Sequence, residues 1–239
     1  MKRFWENAAA VPEGPAWTVR LDGKPLRLPG GGPLAVPSEA MAAAIAGEWQ
    51  AAGGAPGGEM TYADVPLTRL AGTAQERILP DPEPVVLEIA RYGETDLLCY
   101  RADGPSVLVN RQQILWQPWL DWAAERYGAR LAVTEGVVHV PQAPTALANL
   151  AAAVASQGPL ALAALGIAVP ALGSLVLGLA VAEGALPAAA AHELSILDDL
   201  FQEELWGSDD EAVKRRAGVR ADIAMCGRFL DLTRPLRGG

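Results

Sequence analysis

The chain is poor in the side chains that most often bind metals or form disulfides. Its 239 residues include two cysteines, Cys99 and Cys226, and two histidines, His139 and His192. Two cysteines cannot build a disulfide framework, so we expect both to be reduced and buried. His192 is followed by Glu193 without the second histidine of HExxH, and His139 alternates with valines. Each histidine is therefore predicted to be structural, with no metal site.

Sequence motifs for catalysis and cofactor binding are also missing. The chain has no GxGxxG, no GxxxxGK[ST] and no GxSxG, and neither cysteine has a neighbouring base that would activate it. Gly30-Gly31-Gly32 lies between two short predicted strands and precedes Pro33, which indicates a loop rather than a phosphate cradle. The common nucleotide-binding and nucleophile motifs are therefore not found in the chain.

Positive charge is scarce as well. Nineteen basic residues face 28 acidic ones, and the resulting net charge of −9 argues against nucleic acid as a partner. A basic protein surface would still be a suitable partner. No apolar signal segment and no Arg/Ser-rich transit segment follows the opening MKRFW, so we expect the mature protein in a reducing cytoplasm, or in an organelle after processing.

One uncharged stretch, Pro159–Ala182, has the length of a bilayer span. Pro170 interrupts its middle, and three glycines divide it further. The pattern favours two short buried helices, 159–166 and 170–183, over a membrane helix, and the small residues indicate close helix packing.

The remaining sequence predicts an α+β protein with a small β-rich N-terminal unit followed by a larger all-helical unit. A hairpin is predicted with strands at Ala16–Leu21 and Leu26–Leu28 and a turn at Asp22–Pro25, and 34–36 and 60–62 are further candidate strands. Ser38 is the expected N-cap of a helix over 40–52. We place a β-rich domain with one helix at 1–75 and a helical domain at 76–239. A hairpin about Glu135-Gly136 is an additional expectation within the helical part.

The most unusual segment is Ser195–Ala212, with seven carboxylates and no basic residue. On a helical wheel its aliphatic residues and Phe201 cover about half the circumference. Glu204 falls inside that apolar half, and Trp206 projects among the acids. Both are misplaced for a helix that only packs against a core, which suggests a partner-binding surface. The candidate partner-binding residues are Glu203, Glu204, Trp206, Asp209 and Glu211.

Other interpretations of this segment stay open. A run of charges is usually a solvated helix face. Trp206 could fold back onto the core, with Gly207 as the C-cap. The segment Asp198–Glu211 could also serve a carboxylate-dependent hydrolase, with Asp198 and Glu204 as an acid–base couple.

Eight segments in order give the chain a resemblance to a known family. They are Lys2–Trp5 (KRFW), Leu21–Pro29 (LDGKPLRLP), Glu48-Trp49, Pro66–Ala74 (PLTRLAGTA), Glu94–Ala102 (ETDLLCYRA), Arg111–Ala123 (RQQILWQPWLDWA), Gly173–Val181 (GSLVLGLAV) and Leu197–Gly207 (LDDLFQEELWG). Together they resemble the assembly chaperones of the α subunit of the F-type ATP synthase catalytic head.

The resemblance implies a monomeric binding protein that holds the newly made α subunit until it meets a β subunit. It implies no enzymatic activity and no catalytic residue, and no nucleotide, metal or other cofactor. Organellar relatives are expected in the mitochondrial matrix, and without an organelle presequence this chain is expected to be a bacterial cytoplasmic member. Glu204 or Glu211 is the expected counterpart of a functionally sensitive glutamate. Trp49 matches a sensitive tryptophan, but its spacing with Met41 and Ile45 predicts packing. The loop Gly53–Gly58 departs from the more polar, Gln-rich stretch expected there.

Overall fold

The structure, a computed structural model, describes residues 1–234 and begins with a three-stranded antiparallel sheet. The strands are β1 (Ala8–Glu13), β2 (Ala16–Leu21) and β3 (Lys24–Pro25), in the order β1-β2-β3. Asp22 and Gly23 both have positive φ, 48° and 79°, as a tight hairpin turn requires. The predicted hairpin is confirmed, but its turn is tighter than expected, because the returning strand is Lys24–Pro25 rather than Leu26–Leu28. Strand β1 is an additional strand that the sequence pattern did not indicate.

The two other predicted strands are wrong. Residues 34–36 form only an isolated bridge between Val36 and Trp17, because Pro33 and Pro37 on either side have no N–H group for a ladder. Residues 60–62 lead into a 3₁₀ turn, Tyr62–Asp64, instead. Thr61 and Asp64 satisfy each other's backbone N–H groups there, which stabilises a turn rather than a strand.

Two helices complete the N-terminal unit: the first packs against β1 and β2, and the second packs against the first. Helix α1 spans Glu39–Ala51, and the Oγ of Ser38 accepts a hydrogen bond from the N–H of Met41, as predicted for an N-cap. Helix α2 spans Pro66–Thr73 and continues into a π turn, Ala74–Ile78. The side chain of its N-cap residue makes no capping hydrogen bond. Glu48 of α1 caps the helix instead, because its carboxylate accepts hydrogen bonds from the N–H groups of Leu67 at 2.8 Å and Thr68 at 3.2 Å.

Arg3 joins the N-terminal segment to the end of α1. Its side chain is buried and donates hydrogen bonds to the carbonyl oxygens of Trp5 at 3.0 Å, Gln50 at 2.7 Å and Gly54 at 2.9 Å. The planar guanidinium suits several backbone acceptors at once. This contact gives the KRFW motif a structural role.

We expect Arg3→Met to lower the free energy of unfolding by about 2 kcal/mol, because buried carbonyl groups would lose charge-assisted hydrogen bonds. Urea denaturation followed by circular dichroism measures the change. Lys2→Met, which removes the same charge from an exposed neighbour, is the control. Equal stability of the two variants would contradict the structural role of Arg3.

Helices dominate the rest of the chain. They are α3 (Glu83–Ala90), α4 (Ser106–Tyr127), α5 (Pro144–Ala155), α6 (Pro159–Leu172), α7 (Leu175–Ala182), α8 (Ala188–Ser195), α9 (Leu197–Trp206) and α10 (Asp210–Thr233). The expected hairpin about Glu135-Gly136 is wrong. Strand β5 (Thr134–Glu135) instead pairs in parallel with β4 (Tyr100–Arg101), a contact between distant segments. The α+β class, with a β-rich N-terminal part followed by helices, is confirmed.

The uncharged stretch forms two helices, as predicted, but the break lies at Gly173 rather than at Pro170. Pro170 lies within the last turn of α6, and Gly173 ends that helix with a positive φ of 63°. Gly178 packs directly against Val169, which confirms the expected close helix contact. Within residues 1–234, no helix has both the length and the hydropathy to cross a membrane.

Asp96 fixes the start of α7 from inside the core. Its buried carboxylate accepts hydrogen bonds from the Oγ of Ser174 at 2.8 Å and from the N–H groups of Val176 at 2.9 Å and Leu98 at 3.1 Å. Burial raises the pKa of Asp96 to about 6, against the lowering effect of these hydrogen bonds.

The chain divides into two compact units. Within the described residues, unit 1 contains 1–82, Pro159–Ala164 and 228–234, and unit 2 contains Glu83–Gly158 and Leu165–Gly227. The domain division at 75 and 76 stays a prediction, because compactness does not test independent folding. Cys99 and Cys226 are free and buried, as predicted, and burial raises the pKa of both thiols to about 12.

Candidate partner-binding surface

The acidic segment folds as helix α9, bounded by Ile196 and Gly207, and continues into α10. Leu197 and Phe201 are buried and anchor α9, whereas Leu200 and Leu205 are exposed. Gly207, with φ of 86°, donates its N–H to the carbonyl of Glu203 and ends the helix. The apolar half of the wheel is therefore only partly used for packing.

Glu204 owes its place among apolar residues to an arginine from α4. Its carboxylate pairs with Arg111 at 2.7 Å, and the Arg111 guanidinium also lies over the Phe201 ring, 5.4 Å from the centroid. The hydrogen bond from Arg111 lowers the pKa of Glu204. The glutamate is thus accommodated by a charged partner rather than left without one.

Two other predicted site residues also make contacts within unit 2. Glu203 pairs with Arg216 and links α9 to α10. Asp209 caps α10, because its carboxylate accepts hydrogen bonds from the N–H groups of Glu211 at 3.3 Å and Ala212 at 3.2 Å. These contacts account for part of the acidic pattern without a partner.

Trp206 and Glu211 differ from the other three candidates. Trp206 is 81% exposed, so the alternative in which it folds back onto the core is wrong. Its indole and the carboxylate of Glu211 have no partner among residues 1–234, and Leu205 is 56% exposed beside the indole. We call Glu204, Leu205, Trp206, Asp209 and Glu211 the α9 ridge. Exposed apolar side chains next to an unpaired carboxylate, here that of Glu211, are typical of an interaction surface.

An apolar groove borders the same helix, and it was not predicted. Its volume is about 750 Å³. One wall belongs to α4, and the other runs along α8 and α9. We call it the α4–α9 groove; its apolar lining is Ile114, Leu115, Pro118, Trp119, Leu186, Ala190, Leu194, Ile196, Leu197 and Leu200. Ile114 is 70% exposed, which is unusual for an isoleucine in a helix that packs in a protein interior.

Three hydrogen bonds fix the α4 wall against the other. The Trp116 indole donates to the carbonyl of Leu194 at 2.9 Å, and Gln112 donates to the carboxylate of Asp198 at 2.7 Å. The third is the Arg111–Glu204 pair. The groove is therefore held open before any partner binds, which limits the entropy lost on binding. Arg111, Gln112 and Trp116 all belong to the segment Arg111–Ala123 that contributed to the family resemblance.

The groove has little charge along its walls. His192 lines it beside Glu193 and Arg220, and the Nε2 atom of His192 is buried without a hydrogen-bond partner. Burial lowers the pKa of His192, and Arg220 and Arg216 lower it further. The groove thus offers a mainly apolar surface, which suits an apolar polypeptide segment.

The sequence contained a signal for the α4 wall of this groove, though not for the groove itself. The buried positions Leu108, Gln112, Trp116 and Leu120 recur every four residues along α4. Ile114 lies about 160° from that stripe on a helical wheel, so its exposure follows from the spacing. Which helix forms the other wall could not be inferred, because Trp116 and Leu194 lie 78 residues apart.

The hydrolase alternative finds no support in this geometry. Asp198 is hydrogen-bonded to Gln112 and Glu204 is paired with Arg111, so each carboxylate has its own partner. Burial raises the pKa of Asp198, but neither carboxylate lines the groove. Within residues 1–234, no group of three or more His, Cys, Asp and Glu side chains is placed to hold a metal ion.

Comparison with known proteins gives the family. The sequence model of the family described as "ATP12 chaperone protein" matches residues 2–124. The structure is similar to that of Atp12 from Paracoccus denitrificans, with a TM-score of 0.90 and 45% identity over 98% of each chain. The chain belongs to the ATP12 chaperone family. The family resemblance of the eight segments is thereby confirmed.

Two other relatives of this ATP12-family chain span the same range. The Atu1473 protein of Agrobacterium tumefaciens is 39% identical, with a TM-score of 0.88 over 98% of this chain and 86% of that chain. Protein atp12, mitochondrial, of Schizosaccharomyces pombe is 24% identical over 243 residues, which cover 94% of this chain and 82% of that protein. The helical half that carries the groove and the ridge is thus part of the shared structure.

Trp49 of this ATP12-family chain packs in unit 1, as its spacing predicted. It is buried, its ring lies 5.0 Å from that of Trp5, and its indole N–H donates to the Oγ of Thr68 at 2.8 Å. Since Glu48 caps α2 next to this contact, the Glu48-Trp49 pair joins α1 to α2.

Proposed function

We propose that this chain binds the unassembled α subunit of the F-type ATP synthase and promotes its assembly with β subunits. The observation that carries the proposal is the pairing of an exposed Trp206 with an apolar groove along the same helix. Family membership supports the choice of a chaperone. The charge of −9 supports a partner with a basic surface.

The chemistry of the partner follows from what a free ring subunit exposes. A subunit that belongs in a ring presents a large apolar surface to water before its neighbours arrive, and such surfaces promote aggregation. The α4–α9 groove would cover part of that surface. The α9 ridge would contact basic groups at its edge, where Glu211 is unpaired. We propose that the chain acts as a monomer in the bacterial cytoplasm, the counterpart of the mitochondrial location in the name of the Schizosaccharomyces pombe relative.

Co-purification tests this function. Tagged chain is expected to retain α subunit when β subunit is withheld, and to release it when β is added and the ring forms. Retention of the finished ring, or failure to bind purified α subunit, would contradict the proposal.

The two glutamates of the ridge are expected to respond differently to charge reversal. Glu211→Lys should weaken α binding roughly tenfold and leave stability unchanged, because its carboxylate has no intramolecular partner. Glu204→Lys should weaken binding as well, but by placing a lysine against Arg111 and loosening one wall of the groove. Isothermal titration with purified α subunit measures both effects.

Control variants separate direct contact by Glu211 from the structural effect of Glu204 on the groove wall. Glu88→Lys reverses an exposed charge on α3 of the same unit and should not change the affinity. Combining Glu204→Lys with Arg111→Glu restores an ion pair with the two charges exchanged, and should recover most of the α binding. Unchanged affinity in both single variants would remove the acidic residues from the site.

A further inference from the structure

A second concave site lies in unit 1, where none of the predicted site residues lies. Its volume is about 350 Å³, within the roughly 300–1,000 Å³ typical of ligand pockets. Leu28, Trp49 and Gly72 contribute apolar surface, and the Tyr62 ring, which is 54% exposed, contributes an aromatic edge. Nothing in the proposed function uses this pocket.

The pocket collects positive charge on an otherwise acidic protein. Arg27, Arg69 and Arg77 line it together with a single carboxylate, that of Glu76. In the described part of the chain, none of the three arginines forms an ion pair. Glu76 is engaged with the N–H of Gly30 at 2.8 Å, so it is not positioned primarily to neutralise the arginines. The site therefore attracts an anion in spite of the net charge of −9.

The π turn contributes to this arrangement. The N–H of Leu79 donates to the carbonyl of Ala74 at 2.8 Å, five residues back, which widens the helix by one residue per turn. In an unbroken α-helix, positions 69 and 77 would point about 80° apart. The wider turn reduces that angle, and both arginines line the same pocket. Such π turns occur frequently at functional sites.

The pocket is also rigid. The Trp49 indole is fixed by its hydrogen bond to Thr68, and Glu48 holds the first turn of α2 that carries Thr68 and Arg69. At the rim, Arg27 donates to the carbonyl of Gly31 at 2.7 Å, which restrains one guanidinium and leaves its other N–H groups available. A site held in place before binding loses less entropy when a ligand arrives.

We propose that this pocket binds a carboxylate of a polypeptide that lies next to a large apolar or aromatic side chain. Guanidinium groups match the planar, bidentate geometry of a carboxylate, and the apolar surface accepts the neighbouring side chain. The carboxylate is assigned to a polypeptide because the family is one of chaperones, whose ligands are proteins. This pocket goes beyond the proposed function, because it lies in unit 1 and is expected to bind a short peptide without the α subunit.

The test is an NMR titration of the full ¹⁵N-labelled chain with the capped peptide acetyl-Phe-Asp-Phe-amide. The Trp49 indole and the Gly72 amide should shift on binding, and the peptide with Asn in place of Asp should bind at least roughly tenfold more weakly. Arg69→Gln combined with Arg77→Gln should abolish the shifts. Lys24→Gln combined with Arg91→Gln, two exposed positions outside the pocket, should leave the affinity unchanged.

Several results would overturn the proposal. They are equal binding of the Asn peptide, absence of shifts at Trp49 and Gly72, and binding of inorganic phosphate or phenylacetate as tight as that of the peptide. If the double variant does not fold, Arg77→Gln alone should weaken the peptide roughly tenfold. The titration contains no α subunit, so its failure leaves the proposed function standing, and failure of α binding leaves this inference standing.

Discussion

Asp96→Ala is expected to lower the free energy of unfolding by about 3 kcal/mol, the largest stability effect of a single substitution that we predict. The change removes the acceptor for the N–H groups of Leu98 and Val176 and for the hydroxyl of Ser174. These donors are buried, so each loses a hydrogen bond that bulk water cannot replace. Loss of the desolvation penalty of the carboxylate offsets only part of this cost.

Asp96 should also make stability depend on pH. Its pKa is about 6 in the folded chain, against an ordinary value of 3.8 that applies to the unfolded chain. At a pH between these two values, the folded state therefore binds more protons than the unfolded state. Stability from this group is therefore fully present below about pH 4 and is lost as the pH rises through 6. Two units of pKa correspond to about 3 kcal/mol.

Urea denaturation of the wild type and of Asp96→Asn between pH 4 and pH 7 measures this effect. Other carboxylates titrate in both proteins and cancel in the difference. The wild type should lose stability relative to Asp96→Asn as the pH rises, because asparagine does not titrate. A difference that stays constant with pH would contradict the raised pKa.

The second large effect concerns binding. Trp206→Ala and Ile114→Asp should each weaken α binding by roughly 30- to 100-fold, the range of residues that anchor an interface. Both side chains are mostly exposed, so stability should change by less than about 0.5 kcal/mol. Trp206→Ala removes apolar contact area from the ridge, and Ile114→Asp introduces a charge on a wall of the groove.

Matched controls use exposed apolar residues elsewhere. Phe4→Ala removes an exposed aromatic ring from unit 1, and Val137→Asp introduces a charge at a position that is 94% exposed in unit 2. Neither control should alter the affinity by more than about twofold. If the controls weaken binding as much as the two test variants, general surface hydrophobicity rather than the groove and the ridge explains the interaction.

Local features of the fold could be predicted because their causes lie within a few residues. Ser38 caps α1 through a bond to Met41, and Asp22-Gly23 supplies the two positive φ angles of a hairpin. Strand β1 could not be predicted, since its sequence AAAVPE has low strand propensity and is held by pairing with β2. The pairing of β4 with β5 depends on segments more than thirty residues apart.

The candidate site, too, could be predicted only where its causes lie close together in the sequence. The misplaced Glu204 and Trp206 indicated an unusual helix face, and the structure confirms that Trp206 is exposed. The reason for Glu204 could not be read from its own segment, because Arg111 lies 93 residues away. The groove arises only when Trp116 and Gln112 bring α4 against α8 and α9, which no local pattern encodes. Binding by the ridge residues stays a prediction.

Site-specific photo-crosslinking tests most directly whether the α4–α9 groove and the α9 ridge contact the α subunit. A photoreactive phenylalanine analogue is placed at Trp206, at Ile114 and, as a control, at Lys24 in unit 1, and each protein is irradiated with purified α subunit. We expect α crosslinks from positions 206 and 114 that disappear when β subunit is added, and none from position 24. Crosslinks from position 24 alone, or none from 206 and 114 while α subunit still co-purifies, would contradict this expectation.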